Sequence, residues 1–544
     1  VLVNIAGIRV SLEEGEGELQ KRLAEIFALP LETNFLCKIL RKTLDARRHR
    51  PPFFVYAVEA VLPDDIRLPA TGVGELKISL PATSVASGAK EDFSPAPGAV
   101  LRTGKMPRVV VVGSGPAGLF ASLRLAERGI PVLLLERGSA VPARCREVQA
   151  FWEEGILQRE SNVHFGEGGA GTFSDGKLTS RSKNPLTGLV KATFVALGAP
   201  ADILSAAKPH IGTDKLREVV VNFRHKLLAL GCEIRFGARC SSLRRHNGRI
   251  VGLSINEAEE VPTDYLILAM GQHADDTYGM LHGQGVQIVP KPFALGLRLE
   301  HPQRLINQMQ YGKWHQHPAL PPAEYFLTAR TRLPERSVYT FCMCPGGRVI
   351  GCSSEPGGVI TNGMSGSARE GAYGNSAVVV NVNPADFAGT PQEPLRGLKF
   401  RRHWEERAFV LGGKNYFAPA QRLADFLQGR ASDRLMPVSF RPGVRAASLA
   451  EALPAFAGAA LREGLQEFGR KIPEFFAPEA MLIGVETRTS APVRILRDTD
   501  GQSVNTAGLY PCGEGAGYAG GIVSSALDGI RAADNLIRSL DGRR

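Results

Sequence analysis

The spacing of apolar and polar positions changes character several times along this chain. Leu2–Val10 alternates as a half-buried strand does, Leu19–Ala28 reads as a helix, and Phe35–Arg47 reads as a second helix. Phe53–Val61 and a run near Leu76–Leu80 read as strands, so residues 1–82 form a small α+β domain. Residues 83–106 carry Ser, Gly, Pro and mixed charges without periodicity and read as a linker. From residue 107 short, continuous apolar runs replace alternation: Val109–Val112 and Pro131–Leu135 predict buried parallel strands, with the helix Leu119–Arg128 between them. Glu233–Phe236, Ile250–Ile255 and Tyr265–Gly271 follow as further strands of this α/β unit, which spans 107–284. Between 285 and 478 the pattern shifts to strand-like runs such as Phe293–Leu299, Val338–Cys344 and Ala377–Val382 with Gly/Pro turns, an inserted α+β domain. The last piece, 479–544, contains the amphipathic run Ile522–Ile537 and completes the interrupted unit. No internal repeat is present.

The strand Val109–Val112 runs straight into Gly113-Ser114-Gly115-Pro116-Ala117-Gly118 and then a helix, which is the order a dinucleotide-binding turn requires. Gly113 permits the tight turn, Gly115 lets the backbone approach a pyrophosphate, and Gly118 lets the helix pack against the strand. The helix N-terminus then faces the phosphates. Glu136, followed by Arg137, ends the second strand about 20 residues on, where a carboxylate accepts from ribose hydroxyls. A glycine turn at a helix start is the alternative, and the register of strand, helix and acid argues against it.

The segment Gly508–Gly529 resembles the closing motif of two-dinucleotide-binding-domain flavoproteins. That resemblance implies FAD, with Gly513 and Glu514 beside its ribityl and phosphate groups. It also places Gly521, Ile522 and Val523 at a helix start against the isoalloxazine ring, where the dipole favours a reduced, anionic flavin. Gly271, in a segment resembling the Ala-Thr-Gly turn of related flavoproteins, is expected beside the same cofactor.

Gly166-Glu-Gly-Gly-Ala-Gly171 also fits G-x-G-x-x-G. Its predecessor Glu160–Phe165 is too polar for a central strand, and its successor Thr172–Ser180 is turn-forming. We read it as a loop over the flavin, with Gly168, Gly169, Ala170, Gly171, Ser174, Asp175, Gly176 and Lys177 near the cofactor.

Three longer stretches, His164–Leu178, Phe341–Gly347 and Thr361–Ser365, are similar to the bacterial FAD-dependent dehydrogenase family also described as NAD(FAD)-utilising dehydrogenases. The similarity runs over nearly the whole chain. It implies a Rossmann-like FAD-binding domain interrupted by an inserted substrate domain, and a small N-terminal α+β domain. It supplies no substrate.

At 544 residues with 60 glycines, the chain has ample material for two or three cores. No apolar run reaches the roughly 18 residues of a membrane span, and the N-terminus shows no leader pattern. Eight cysteines without small-scaffold spacing fit a reducing compartment. A cytoplasmic enzyme is the expectation.

The net charge is +11, and much of its local density lies in Lys38–Arg50. A solvated helix face is the favoured reading, and a helix end that holds phosphates or RNA the alternative. Substitution of Arg41, Lys42, Arg47 and Arg48 separates them.

Candidate chemistry lies over the flavin. Lys177 and Arg181 are cations of the glycine-rich loop, and Arg369 is a candidate carboxylate clamp. His164 is a candidate acid or base, against the alternative of a hydrogen-bonded structural histidine. Cys342 and Cys344 form a C-x-C pair on one face of an expected strand, either a dithiol or two buried small hydrophobes, the second being favoured. His315-Gln-His317 is too weak for a metal site, and none is expected.

Three functions are compatible with these features. The leading one is an FAD-dependent oxidoreductase passing a hydride between flavin and a small organic substrate or NAD(P)H. The others are an RNA-modifying flavoprotein docking RNA through its basic N-terminal domain, and a non-catalytic flavin-binding redox sensor.

Overall fold

A computed structural model describes the chain except residues 32, 34, 35, 48, 49, 64, 65, 67–75, 81–105, 180–183, 333, 334, 391 and 542–544. The expected linker and the expected cations Arg48 and Arg181 thus lie outside the described residues, apart from Met106.

The parallel sheet anticipated from the short apolar runs has five strands. Their order is Leu509–Pro511, Tyr265–Leu268, Val109–Val112, Val132–Leu135 and Glu233–Arg235, and every neighbouring pair is parallel. Val109–Val112 reads as an unbroken apolar run because both of its faces are covered. On one side the helices Pro116–Ala126, Leu186–Ala196, Thr213–Ala229 and Ile522–Asp541 share a core in which Phe120 meets Phe194 and Phe223 edge-on, 5.4 and 5.2 Å between ring centroids. On the other side, Leu243 and Leu253 of a three-stranded antiparallel sheet (Cys240–His246, Arg249–Ile255, Glu259–Pro262) pack with Tyr278 and Leu281 of the helix Asp275–Gly283. The chain is an α/β protein with a Rossmann-type unit.

The region after residue 290 forms an eight-stranded sheet built around Phe293–Pro302, Ser337–Gly351 and Tyr373–Val382. The helix Ala455–Lys471 contributes Leu461, Leu465 and Phe468 to its core. Met481–Glu486, assigned above to the returning segment, pairs instead with Phe293–Pro302 and Ala418–Arg422. All six of its residues are buried, and this central place in the large sheet covers both faces. The return to the parallel sheet comes with Leu509–Pro511.

The N-terminal sheet has the order Leu36–Asp45, Phe53–Val61, Leu2–Ser11, Lys77–Ser79, all antiparallel, with Leu19 and Leu23 of the helix Glu18–Ile26 packed on it. The expected helix over 35–47 is therefore a strand. A bulge between Ile39 and Arg41 shifts the register, so the residues facing Ala60, Val58, Tyr56 and Phe54 are Cys37, Ile39, Lys42 and Leu44. An alternation broken by one residue spaces apolar positions as a helix does. The basic side chains accordingly lie on the edge strand of this sheet, whose outer side is bonded at Lys42 to the backbone of Ser205 and Ala207. Lys42 is paired with Glu16, and Arg47 and Arg50 with Asp45. No described helix is long and apolar enough to cross a membrane.

Candidate active site

One cavity of ≈ 2020 Å³ collects most of the residues singled out above. Gly113, Gly115, Pro116, Ala117, Glu136, Arg137, Gly169, Ala170, Gly171, Ser174, Asp175, Gly176, Lys177, Gly271, Gly513, Glu514, Gly521 and Ile522 line it, together with His164 and Cys342. Ser114, Gly118, Gly168, Val523 and Arg369 do not.

Each of these five has a structural reason to stand back. Gly118 packs the helix on the turn, since a Cβ there would lie 1.8 Å from the Gly113 carbonyl oxygen. Gly168 takes a left-handed φ of 82°, and a Cβ would strike Thr172 and Val220. Val523 is buried in the core beneath the helices. Ser114 donates its N–H and hydroxyl to Glu136, at 2.9 and 2.7 Å. Arg369 gives its guanidinium to Asp175 at 3.1 Å, which removes it from the role of a substrate clamp.

At one end of the cavity the strand-turn-helix presents Gly115 and Pro116 at a helix N-terminus. Glu136 there is buried and accepts four internal bonds: two from Ser114, one from Gly138 N–H at 3.0 Å and one from Gly166 N–H at 2.9 Å. It ties the first glycine turn to the second. Arg137 stacks on Phe165, 4.1 Å to the centroid, and pairs with Glu160 and Asp276. Beside it lies Arg239, which the sequence reading missed because it sits on an unremarkable strand approach.

The second glycine stretch is a 3₁₀ turn, Gly169–Phe173, folded against the first. A Cβ on Gly169 would sit 3.0 Å from Gly115 Cα, and one on Gly138 would sit 2.6 Å from Gly166 N. These glycines serve chain-to-chain approach rather than a second nucleotide. Arg144 holds the loop from beneath, donating to the carbonyls of Asn162, Val163, Glu167 and Gly169 at 2.6–2.9 Å. Burial pulls its pKa down to about 10.

At the other end the start of Ile522–Asp541 meets Gly513 and Glu514. Glu514 accepts from Gln272 Nε2 at 3.1 Å, and burial pushes its carboxyl up to about 7 against the pull of Lys291. His164 stacks on His273, 3.2 Å between centroids and 14° from parallel. Below them Arg488 forms a bidentate pair with Glu405, at 2.7 and 2.9 Å, and reaches Asp275 at 3.2 Å. Arg401 also binds Asp275. Burial and then Arg488 and Arg144 hold His164 well below its ordinary value, so it sits neutral in the fold rather than poised near pH 7. His273, Gln272 and Arg488 carried no sequence signal, since each lies outside a recognisable motif.

Lys177 pairs with Asp175 at 2.6 Å, and Ser365 also donates to that carboxylate. Burial lowers the Lys177 pKa, but Cys344, Cys342 and Asp175 outweigh it and the ammonium is retained. Five buried polar atoms on cavity-lining residues make no hydrogen bond: His164 Nδ1 and Nε2, His273 Nε2, Gln272 Oε1 and Glu486 Oε2. Native interiors seldom leave such atoms unpaired, so this wall is built to meet a polar ligand. The elongated, polar, ring-bearing shape of FAD fits it.

Comparison with known proteins gives the same cofactor. Residues 107–290 match the model described as pyridine nucleotide-disulphide oxidoreductase, and 292–489 match that of the FAD-dependent protein, C-terminal domain-like. Two solved structures align at low similarity. Glycerol-3-phosphate dehydrogenase from Bacillus halodurans complexed with FAD is 11% identical, with 80% of this chain and 65% of that one covered and a TM-score of 0.36. CtdE in complex with FAD is 11% identical, with 79% and 84% covered and a TM-score of 0.32. An uncharacterized protein of Clostridium beijerinckii is 41% identical over 99% of both chains. With a relative matched end to end and both family models in place, the chain belongs to the family of FAD-dependent, oxidoreductase-like flavoproteins.

Proposed function

We propose that the chain is an oxidoreductase that uses FAD to move a hydride between the flavin and a small organic substrate or a reduced nicotinamide nucleotide. One observation carries this reading. Two helix N-termini distant in sequence, at Pro116 and Ile522, open on one cavity whose wall carries unpaired neutral imidazoles.

Bound FAD supplies the hydride chemistry. Gly115 and the head of Pro116–Ala126 are placed to take the pyrophosphate, with Glu136 and Arg239 at the adenosine end and Glu514 and Ile522 toward the ring. His164 and His273 offer hydrogen bonds without bringing charge, while Lys177 and Arg488 hold positive charge at the same wall. Phe165, Phe173 and Met343 keep part of the cavity apolar and restrict water. The volume exceeds the ~300–1,000 Å³ of an ordinary small-ligand pocket, which leaves room by Tyr325, Tyr339 and Phe341 for a reacting partner.

The test is anaerobic titration of the FAD-loaded protein with NADH and, separately, NADPH, following the visible flavin band. Stoichiometric bleaching by either establishes nicotinamide-linked reduction. A flavin that stays oxidised with both assigns the donor role to another organic substrate, and a purified chain that takes up no FAD overturns the reading.

A further inference from the structure

The cavity wall contains a pair of thiols for which the hydride reaction has no use. Cys342 lines the cavity and is half-buried, while Cys344 is fully buried behind it. Cys344 Sγ donates to the Cys342 carbonyl oxygen at 3.5 Å, and Lys177 Nζ lies 3.7 Å from Cys344 Sγ.

Two plain structural readings do not account for this. As space-filling hydrophobes the thiols would not need the ammonium of Lys177 or the cation of Arg298, whose Nη1 donates to the Cys342 carbonyl at 3.4 Å. As ordinary strand residues they would not interrupt the ladder. The pairing Phe341↔Ala377 is followed by Cys344↔Asn375, so one residue is extra, and Cys342 takes a left-handed φ of 49° that non-glycine residues rarely adopt. Bulges of this kind re-aim a side chain next to a site.

We propose that Cys342 and Cys344 are a redox-active dithiol that exchanges an electron pair with the bound flavin. This rests on the flavin reading above. In the forward step the Cys342 thiolate and the Cys344 thiol form one S–S bond and release two electrons and the Cys344 proton. All three pass to oxidised FAD. The reverse step breaks the S–S bond with the same two electrons and one proton, restoring thiolate and thiol. The left-handed bulge at Cys342 brings Cys344 Sγ within 3.5 Å of the Cys342 carbonyl oxygen, so the two residues fold back on each other. Lys177 supplies the fixed positive charge that favours a thiolate. The pair is electrostatically divided: the Cys344 thiol, outweighing burial, lowers Cys342 to about 5 with help from Lys177 and Arg298, while Cys344 is raised well above its ordinary value.

The experiment uses the full FAD-loaded chain after mild oxidation with diamide. Anaerobic dithionite titration should consume four electrons per flavin. N-ethylmaleimide trapping with peptide mass spectrometry should find Cys342 and Cys344 unlabelled before reduction and both labelled after it. Cys344→Ser should return the count to two electrons and leave a long-wavelength absorbance from thiolate beside flavin, and Cys342→Ser should give two electrons without that band. On FAD-free protein the rate of Cys342 alkylation should be half-maximal far below the pH 8–9 of a free thiol. Two electrons per flavin in the parent, with both thiols labelled before reduction, overturns the dithiol and leaves the flavin reading standing. A chain that holds no FAD overturns both.

Discussion

His164 and His273 lie face to face, 3.2 Å between ring centroids, an arrangement that two imidazolium ions would not keep. Burial is the main reason both are neutral, reinforced by Arg488 and Arg144 around His164 and by His164 itself around His273. The sheet and the Arg488–Glu405 pair thus set the protonation state of this wall before any ligand arrives.

That neutrality has a signed consequence for stability. Both histidines have folded-state pKa values below those of the unfolded chain, so as pH falls through about 6.5 the unfolded state takes up protons first. The stabilising contribution is complete above that pH and is lost below it. His273→Phe keeps a ring in the stack and removes one such group. Thermal melts of FAD-free protein should show the parent losing Tm faster than the variant between pH 7 and 5, by about 1 °C per pH unit. Parallel slopes would contradict a neutral stack.

Glu486 has the opposite sign. Its carboxyl is buried, with Oε2 3.8 Å from Arg298 Nε but without a hydrogen bond, and burial raises it to about 7. Its folded-state pKa exceeds the unfolded one, so stability present below about 4.5 is lost as pH rises to about 7. Glu486→Gln is free of that loss. It should match the parent near pH 4.5 and exceed it above pH 7 by up to about 3 kcal/mol. Denaturant melts at the two pH values check the crossover.

Two glycines three positions apart should separate folding from cofactor approach. A Cβ on Gly118 would lie 1.8 Å from a backbone oxygen, so Gly118→Ala should cost about 3 kcal/mol or more and leave little folded protein. A Cβ on Gly115 meets nothing nearer than 3.9 Å. Gly115→Ala should therefore melt within a few degrees of the parent yet retain FAD weakly, as read by the flavin-to-protein absorbance ratio.

Arg144→Met should fail more broadly, because four backbone carbonyls lose a donor at once, that of Glu167 keeping another from the Thr172 hydroxyl. Leaving such acceptors unpaired costs ~1–3 kcal/mol each before relaxation. We expect a large fall in Tm and proteolytic cleavage within 160–170, which limited trypsin digestion would locate. An intact 160–170 segment would show that the glycines alone hold the loop.

The parallel strands, the first glycine turn and the closing glycine segment were legible because their chemistry is local: four consecutive valines need cover on both faces, and Gly113, Gly115 and Glu136 follow fixed spacing. Leu36–Asp45 was misread because a single bulged residue converts period two into an imitation of a helix. The inner wall was largely illegible. Gln272 and His273 come from the turn after Tyr265–Leu268, Glu486 and Arg488 from the end of Met481–Glu486, and the two segments, more than 200 residues apart, meet only in the folded chain. Arg369 was misassigned for the converse reason, since its partner Asp175 lies far away in sequence.

The strand order of the parallel sheet bears on how the molecule is made. Val109–Val112 leaves the ribosome early, but the strand that covers the edge of Tyr265–Leu268 is Leu509–Pro511, and the helix that seals the cleft, Ile522–Asp541, comes later still. Until then that edge is open to any passing strand, and the cleft has only one of its ends. Cofactor capture therefore belongs to the finished polypeptide rather than to the nascent one.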